Sequence, residues 1–592
     1  MNYSLAKTDN KKEKEKSVLK TMRQRLFPLL KEEGRSVTIA MVAIFIDAVV
    51  SLLIPFLIAH IVDFFIVGKD FHGVVSFSWW LVLLFFIGFV ASYVQIVSMG
   101  GVGRRLLFRL RNKIFEKLQE LPVAFFHQNK VGDIISRINN DTEKLNQFFS
   151  QALMRFMSNS IIIFGTGVFI LFLHPTLGLL ALIPAGVALI ITQILSPWVK
   201  RSSLKSLRTL GDMSGEIQES VYNFKVIVAF DRLDYFRRKF KEVNDLNYTA
   251  SIRAGIASNI FNPLYVLASL IAQLFVLAYG IVLIEKGQFT IGLLIGFLLY
   301  VNNFYTPLRQ LASVWSSLQL ALAGLDRIFE ILHLKSNMKI VAQKDARVST
   351  GSECVIEFQN VFFRYSDGKE VLKNIQFSLK REKTYALVGP TGGGKTTTAS
   401  LIARLYDPTE GTVFLEGRDI RSYDPHERAG KIGFILQEPF ILNGTVRENI
   451  VYGNPDDYAY TDEALKQVLS DMHLDRLLAQ FPEGLQTNMA SNGGSISLGQ
   501  KQLIAFIRAV LRSPDVLILD EATANIDTVT EELLTEIIEK LPKKTTKVII
   551  AHRLNTIENA DEIFFVNNGE MTLAGSMQHA IEMLLDKKEN SS

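Results

Sequence analysis

Hydrophobic residues are distributed unequally along this chain. In the first half they form long runs, centred on Val37–Phe65, Phe77–Val97, Ser158–Leu173, Leu177–Leu195, Ile260–Leu283 and Ile291–Phe304. One helical crossing of a bilayer needs about 20 apolar residues, so the runs predict six membrane-spanning helices. From about Asn337 the pattern changes. Short β-rich runs appear (VIEFQNVFFRY, TYALVG, KIGFILQ, DVLILD, KVIIAH, EIFFVNNGE). They alternate with helical stretches such as TTTASLIARLY and LGQKQLIAFIRAVLRS. That alternation predicts an α/β domain on a mostly parallel sheet.

The polar segments between the runs differ in kind. GRRLLFRLRNK follows the second run and KRSSLKSLRTL the fourth, whereas the other connections are short and nearly free of arginine. Basic loops stay on the cytoplasmic side, so both termini are expected there. Both basic segments are long and read as helices continuing past the membrane. His174-Pro175 is expected to be a tight turn between the third and fourth spans. The first residues, MNYSLAKTDNKKEKEKSVLK, are polar and lysine-rich and read as a solvated cytoplasmic tail able to touch lipid headgroups. The expected organisation is a tail over 1–25, a six-helix membrane domain over 26–336 and a linker over 337–354. A nucleotide-type α/β domain over 355–585 and a short tail over 586–592 follow.

Composition supports the division. The chain has 592 residues, 48% of them hydrophobic, and a net charge of only +5. It is too apolar for a purely soluble enzyme, and nothing in its charge argues for nucleic acid. Cys354 is the single cysteine, so no intramolecular disulfide framework exists.

The candidate chemistry lies in the α/β part. GPTGGGKT, Gly389–Thr396, fits the phosphate-loop pattern and sits between a strand and a helix, the context the motif requires. Gly389, Pro390, Thr391, Gly392, Gly393 and Gly394 bring backbone N–H groups around phosphates, and the helix N-terminus adds a favourable dipole. Lys395 is placed to reach the β- and γ-phosphates. Thr396 is placed to ligate Mg2+, and Thr397 follows in the same binding loop. VLILDEA puts Asp520 at the end of a buried strand, where it can hold the metal shell, with Glu521 next, where a carboxylate can polarise water. His552, in KVIIAHR, and Gln437, in GFILQEPF, also follow strands. Gln437 can reach metal or water.

These motifs, in this order behind six spans, resemble an ATP-binding cassette exporter half-transporter over roughly Leu26–Leu585. The resemblance implies that Gly389–Thr396 is the Walker A loop, Gln437 the Q-loop and Asp520 the Walker B acid. It implies Glu521 as catalytic base, His552 as switch histidine and Lys395 as a transition-state contact, with ATP and Mg2+ as cofactors. Tyr365 resembles the aromatic residue that stacks on adenine, and Asp527 resembles the D-loop aspartate. Val131–Asp141 and Gly215–Phe230 look like segments that couple membrane helices to nucleotide domains. SISLGQ, Ser495–Gln500, falls where LSGGQ is typical. Ser497, Gly499 and Gln500 are kept, and Leu498 replaces a glycine. In this family the signature serves the partner chain's ATP.

Leu498 carries two readings. In one, the chain is half of a heterodimer, supplying intact catalytic parts to one site and a weakened signature to the other; a positive φ at Leu498 would add strain. In the other, it is neutral variation in a homodimer. Multidrug-type export is the first expectation for function. A lipid or lipid-linked glycan flippase and a non-pumping ATP-gated or regulatory subunit are the alternatives. Within the spans, Asp47 reads either as a cavity acid or as a neutral or internally paired residue, and Asp63 lies at the far, solvent-reachable end of the same run. Asn302, Asn303, Tyr305 and Gln273 read either as a polar track or as packing hydrogen bonds.

Overall fold

A computed structural model of the chain describes residues 3–5, 31–338, 340–342, 347–348, 353–366, 368–454, 460–472, 474–489, 497–520, 528–542, 544–550, 560–575, 578–580 and 582–583. It divides into two compact units. One comprises Leu5–Gln119 and Val131–His333; the other comprises Met1–Ser4, Glu120–Lys130 and Leu334–Ser592.

The first unit is built from six long helices: α1 (Gly34–Ile66), α2 (Phe71–Gln119), α3 (Val131–Leu173), α4 (Pro175–Tyr222), α5 (Leu233–Glu285) and α6 (Ile291–Leu332). Each of the six apolar runs falls inside one of them. With 49 residues in α2 and 48 in α4, these helices are each more than 70 Å long at about 1.5 Å per residue. A hydrocarbon core is roughly 30 Å thick, so the basic segments after the second and fourth runs do continue as helix. The α3–α4 turn forms as expected. Pro175 occupies the first helical position, where a missing N–H costs nothing, and His174 Nδ1 accepts from Leu177 N at 3.3 Å.

Prolines inside the spans leave backbone carbonyls without helical donors, a serious cost where water is absent. Pro55 in α1 deprives Ser51, four residues earlier, of its partner. Asn303 of α6 donates to the Ser51 carbonyl at 3.1 Å, and Tyr300 donates to the adjacent Leu52 carbonyl at 2.5 Å. On another side of α6, Tyr305 donates to the Ala181 carbonyl at 2.8 Å, one turn before Pro184 of α4. Asn303 therefore answers the carbonyl that Pro55 frees, and Asn303 and Tyr305 both make packing hydrogen bonds.

The end of this unit at which α3 begins holds a buried charge network. Asp133, Arg137 and Asp141 recur every four residues and so share one face of α3. Arg137 is 1% exposed. It donates to Asp133 (3.0 Å), to the Arg327 carbonyl (2.8 Å) and to Glu330 (2.6 Å). Arg327 pairs with Asp133 at 2.8 Å and with Asp141 at 3.2 Å. Val131–Asp141 thus closes onto the base of α6. Truncating one member of such a network strands the others: Arg137→Ala is expected to destabilise the membrane unit by about 3–5 kcal/mol, visible as a lower unfolding temperature in detergent.

The second unit departs from the expected boundaries. It includes Glu120–Lys130, expected among the membrane helices, and Met1–Ser4, expected as solvated tail. Tyr3 is buried instead. Its N–H donates to Gln128 at 2.7 Å, its carbonyl accepts from Asn129 at 3.0 Å, and its hydroxyl bonds Asn337 both ways, at 2.5 and 2.8 Å. One aromatic residue gives this short segment a burial that lysine-rich composition hides.

The α/β part contains β1 (Cys354–Arg364), β2 (Glu370–Lys380), β3 (Thr384–Val388), α7 (Lys395–Ile402), β4 (Glu410–Leu415), β5 (Arg418–Asp419) and β6 (Ile432–Ile435). Then come α8 (Leu498–Leu511), β7 (Val516–Asp520), α9 (Thr528–Lys540), β8 (Thr546–Ile550), β9 (Glu562–Asn567) and β10 (Glu570–Leu573). Two sheets result, ordered β2-β1-β4-β5 and β10-β9-β3-β8-β7-β6. The second is parallel except for its β10 edge. β3, β7 and β8 are almost wholly buried apolar runs, as parallel strands covered on both faces must be. The sequence reading did not single out β2. Asn374, at φ 49°, breaks its alternation and shifts its register against β1.

Candidate functional site

Ligands of open parallel sheets bind beyond the carboxyl ends of the strands. Here β3 leads into Gly389, β7 ends on Asp520, β6 ends two residues before Gln437, and β8 ends at Ile550, two residues before His552. Register aligns these ends: Leu387 pairs with Ile550, Ile550 with Asp520, and Leu519 with Ile435. Four motifs far apart in sequence therefore emerge from neighbouring strands.

The loop from Gly389 to Gly394 requires its glycines for contact as well as conformation. Gly389 has φ 143°, and a Cβ there would lie 2.0 Å from the Val566 carbonyl oxygen. Gly394, at φ 118°, caps α7. Pro390 and Thr391 are exposed at the loop, whereas Lys395 is buried. The Lys395 ammonium donates to the carbonyls of Gly389 (2.8 Å) and Pro390 (3.0 Å), which aims it back across the loop. Thr396 follows with its hydroxyl 3.4 Å from Asp520, itself buried. A hydroxyl and a carboxylate side by side are hard oxygen donors, the set a Mg2+ ion prefers. Tyr365 stands beside the same helix: its hydroxyl is 3.0 Å from that of Thr397, and its ring meets Phe363 and Tyr406 edge to face. Burial pushes the Tyr406 phenol above its usual range. Gln437 is exposed.

Ser497 is the N-cap of α8. Its hydroxyl accepts from Gln500 N at 3.1 Å, and Gln500 Oε1 accepts from Ser497 N at 3.0 Å, a reciprocal capping box. Leu498 is the first helical residue and partly exposed; it is not among the residues with positive φ. The backbone strain considered for it is therefore absent, and what remains is an apolar side chain beside the free N–H end of the helix. Gly499 is buried at the next position. Ser497→Ala is expected to cost about 1 kcal/mol of helix stability, seen as faster amide exchange over the first turn of α8.

Sequence reasoning missed the clamp that holds α8. Arg508, on the same helix, donates to the Asn449 carbonyl (2.7 Å), the Asn449 side-chain oxygen (3.0 Å) and the Phe440 carbonyl (2.9 Å). Asn449 is fully buried and also bridges both backbone groups of Leu442. This ties the stretch just after Gln437 to the helix that begins at Ser497. Burial lowers the Arg508 pKa from its ordinary value. Only the strand-turn-helix spacing of an arginine and a distant asparagine could have signalled it. Asn449→Ala leaves buried donors unmatched and is expected to cost about 2–4 kcal/mol, measurable in the denaturation midpoint.

Glu521, Asp527 and His552 lie outside the described residues. In the membrane unit, Asp63 accepts from Thr290 Oγ1 at 2.5 Å and from Gly292 N at 2.7 Å, so it caps α6. Asp47 is half-buried on the α2 side of α1, near Gly88, with no partner among the described residues. Gln273, Asn302 and Tyr305 line one pocket between α5 and α6, which Asn303 does not join.

Comparison with known proteins accounts for both units. The ABC transporter transmembrane region matches residues 37–308, and the ABC transporter family model matches 372–524. An uncharacterized ABC transporter ATP-binding protein of Bacillus subtilis, YfiC, is 35% identical over 96% of this chain and 94% of its own length. The chain belongs to the ABC transporter family. It is an exporter-type half-transporter, one membrane region followed by one ATP-binding domain, and its ATPase activity is coupled to transport. This ABC transporter is also 30% identical to a multidrug resistance ABC transporter of Lactococcus lactis, over 91% of the chain and 89% of the relative. It is 30% identical to a fatty acid ABC transporter of Mycobacterium bovis, over 86% and 80%.

Proposed function

We propose that this ABC transporter exports amphipathic small molecules across the cytoplasmic membrane, with both termini in the cytoplasm, as one half of a heterodimer with two unequal ATP sites. The observation that carries the pump is the juxtaposition of Lys395, Thr396 and buried Asp520 at adjacent strand ends. The names of the Lactococcus and Mycobacterium relatives support an amphipathic cargo.

In this reading Lys395 exchanges the loop carbonyls for β- and γ-phosphate oxygens, and the loop N–H groups close around the rest. Thr396, Asp520 and Gln437 would hold Mg2+, which supplies charge neutralisation on the phosphates when bound. Tyr365 stacks on adenine. Glu521 orients and deprotonates the attacking water, and His552 stabilises the charge that develops. Asp527 would serve as the D-loop aspartate. Ser497, Gly499 and Gln500 close over the partner's nucleotide, where Leu498 intrudes on close approach. Closure of the two domains turns the membrane cavity outward, and hydrolysis resets it.

Purification from the native host without overexpression, followed by mass spectrometry, tests the assembly. A different half-transporter with an intact LSGGQ in one-to-one amount is the expected companion. Recovery of this chain alone, as a dimer of itself, would overturn the asymmetric reading and make SISLGQ a working signature at both sites.

A further inference from the structure

Between α5 and α6 lies a pocket of about 220 Å³. Its polar lining is Tyr265, Ser269 and Gln273 from α5, and Asn302, Tyr305, Thr306 and Arg309 from α6. Arg309 lies within the apolar span Ile291–Leu311, 18 residues and hence about 27 Å from its start. That depth is close to the far edge of a roughly 30 Å hydrocarbon core. A guanidinium there sits at the rim of the interface, where it can meet a head-group charge, and Arg309 has no hydrogen-bond or ion-pair partner among the described residues.

Two other lining pairs keep a donor available, while the Tyr265 and Tyr305 hydroxyls are engaged with Thr192 and the Ala181 carbonyl. Thr306 gives its proton to Asn302 Oδ1 at 3.3 Å, which leaves the Asn302 NH2 group turned outward. Gln273 gives an amide proton to Ser269 at 3.3 Å, so the serine oxygen is already an acceptor and its own proton is available. No carboxylate lines the pocket, and between Pro263 and Leu325 the sequence has one acid, Glu285, at the opposite end of α5. From the pocket wall, Leu270, Leu274, Leu277 and Ile281 continue along α5 at helical spacing, all exposed. They form an apolar row leading away from the donors toward the opposite membrane face.

We propose that this pocket binds the anionic head group of an amphipathic substrate, a carboxylate or phosphate, with Arg309 as its counter-charge and the apolar row of α5 along its tail. The proposal rests on the amphiphile-export reading above and narrows it to anionic cargo. A resident anionic phospholipid presents the same chemistry as a transported acid, so the test separates the two.

The full-length protein, as the dimer in which it is isolated, is placed in nanodiscs of zwitterionic lipid. Binding of a fluorescent long-chain fatty acid is compared with that of its methyl ester and of a cationic amphiphile with the same chain. The acid is expected to bind about tenfold or more tightly than the ester. Arg309→Gln removes that preference and Arg309→Lys restores part of it, with elution volume and melting unchanged in both. Adding anionic phospholipid asks where the head group comes from. Competition with the acid shows that bilayer lipid fills the subsite too, and lack of competition shows selectivity for free acid; either supports it. If Arg309→Gln binds the acid as the wild type does, the subsite is refuted while amphiphile export stands. If none of the three amphiphiles binds or stimulates ATP turnover, the export reading and the subsite fall together.

Discussion

Glu521→Gln is expected to leave ATP binding within about threefold of wild type while lowering ATP turnover at least about a hundredfold. The phosphates are held by groups this change does not touch: the loop N–H groups, Lys395 and the Thr396–Asp520 pair. Glu521 is the next residue in sequence after Asp520, which ends β7 between β6 and β8. A glutamine there can orient water but cannot take its proton. Nucleotide binding by fluorescence and steady-state phosphate release, measured on the same preparation, check both halves. Full turnover in the variant would move the base elsewhere in the chain.

Gly389→Ala is expected to abolish nucleotide binding and to destabilise the ATP-binding domain by several kcal/mol. The added methyl would lie 2.0 Å from a backbone oxygen of β9, Val566 O, and cannot be relieved by rotating a side chain. Residue 389 also has a backbone φ of 143°, which alanine rarely adopts. Relief requires β3 and β9 to part, and with them the loop carbonyls that position Lys395. Alanine at Gly392, where a Cβ meets nothing within 4 Å, would carry only the φ penalty and serves as the milder control. Loss of ATP-dependent thermal protection at Gly389, with partial retention at Gly392, is the expected pattern.

The parts legible in the sequence are those written locally. Six spans follow from run length, and the phosphate loop from the spacing of glycines before Lys395. The parallel strands follow from short apolar runs such as Val516–Leu519. Pairings across hundreds of residues leave no local mark. Asn303 looks like a polar track until Pro55, far away in α1, is seen to need a donor for Ser51. Tyr3 looks like part of a solvated tail until Gln128 and Asn337 surround it. Arg309 is a single basic residue at the end of an apolar run, and only the packing of α5 against α6 shows it in a polar pocket without a partner among the described residues. Leu498 looks from its letter like an obstacle that also strains the backbone. Its backbone is ordinary helix beneath a good cap, so any effect on catalysis lies in what its side chain meets across the dimer.

The decisive measurement is uptake of a fluorescent amphiphile into inside-out membrane vesicles carrying this transporter with its native partner. ATP should drive accumulation against the gradient, and a non-hydrolysable analogue or the Glu521→Gln variant should not. Equal movement without hydrolysis, running only down the gradient, would contradict an ATP-driven exporter and make the protein a nucleotide-gated pore.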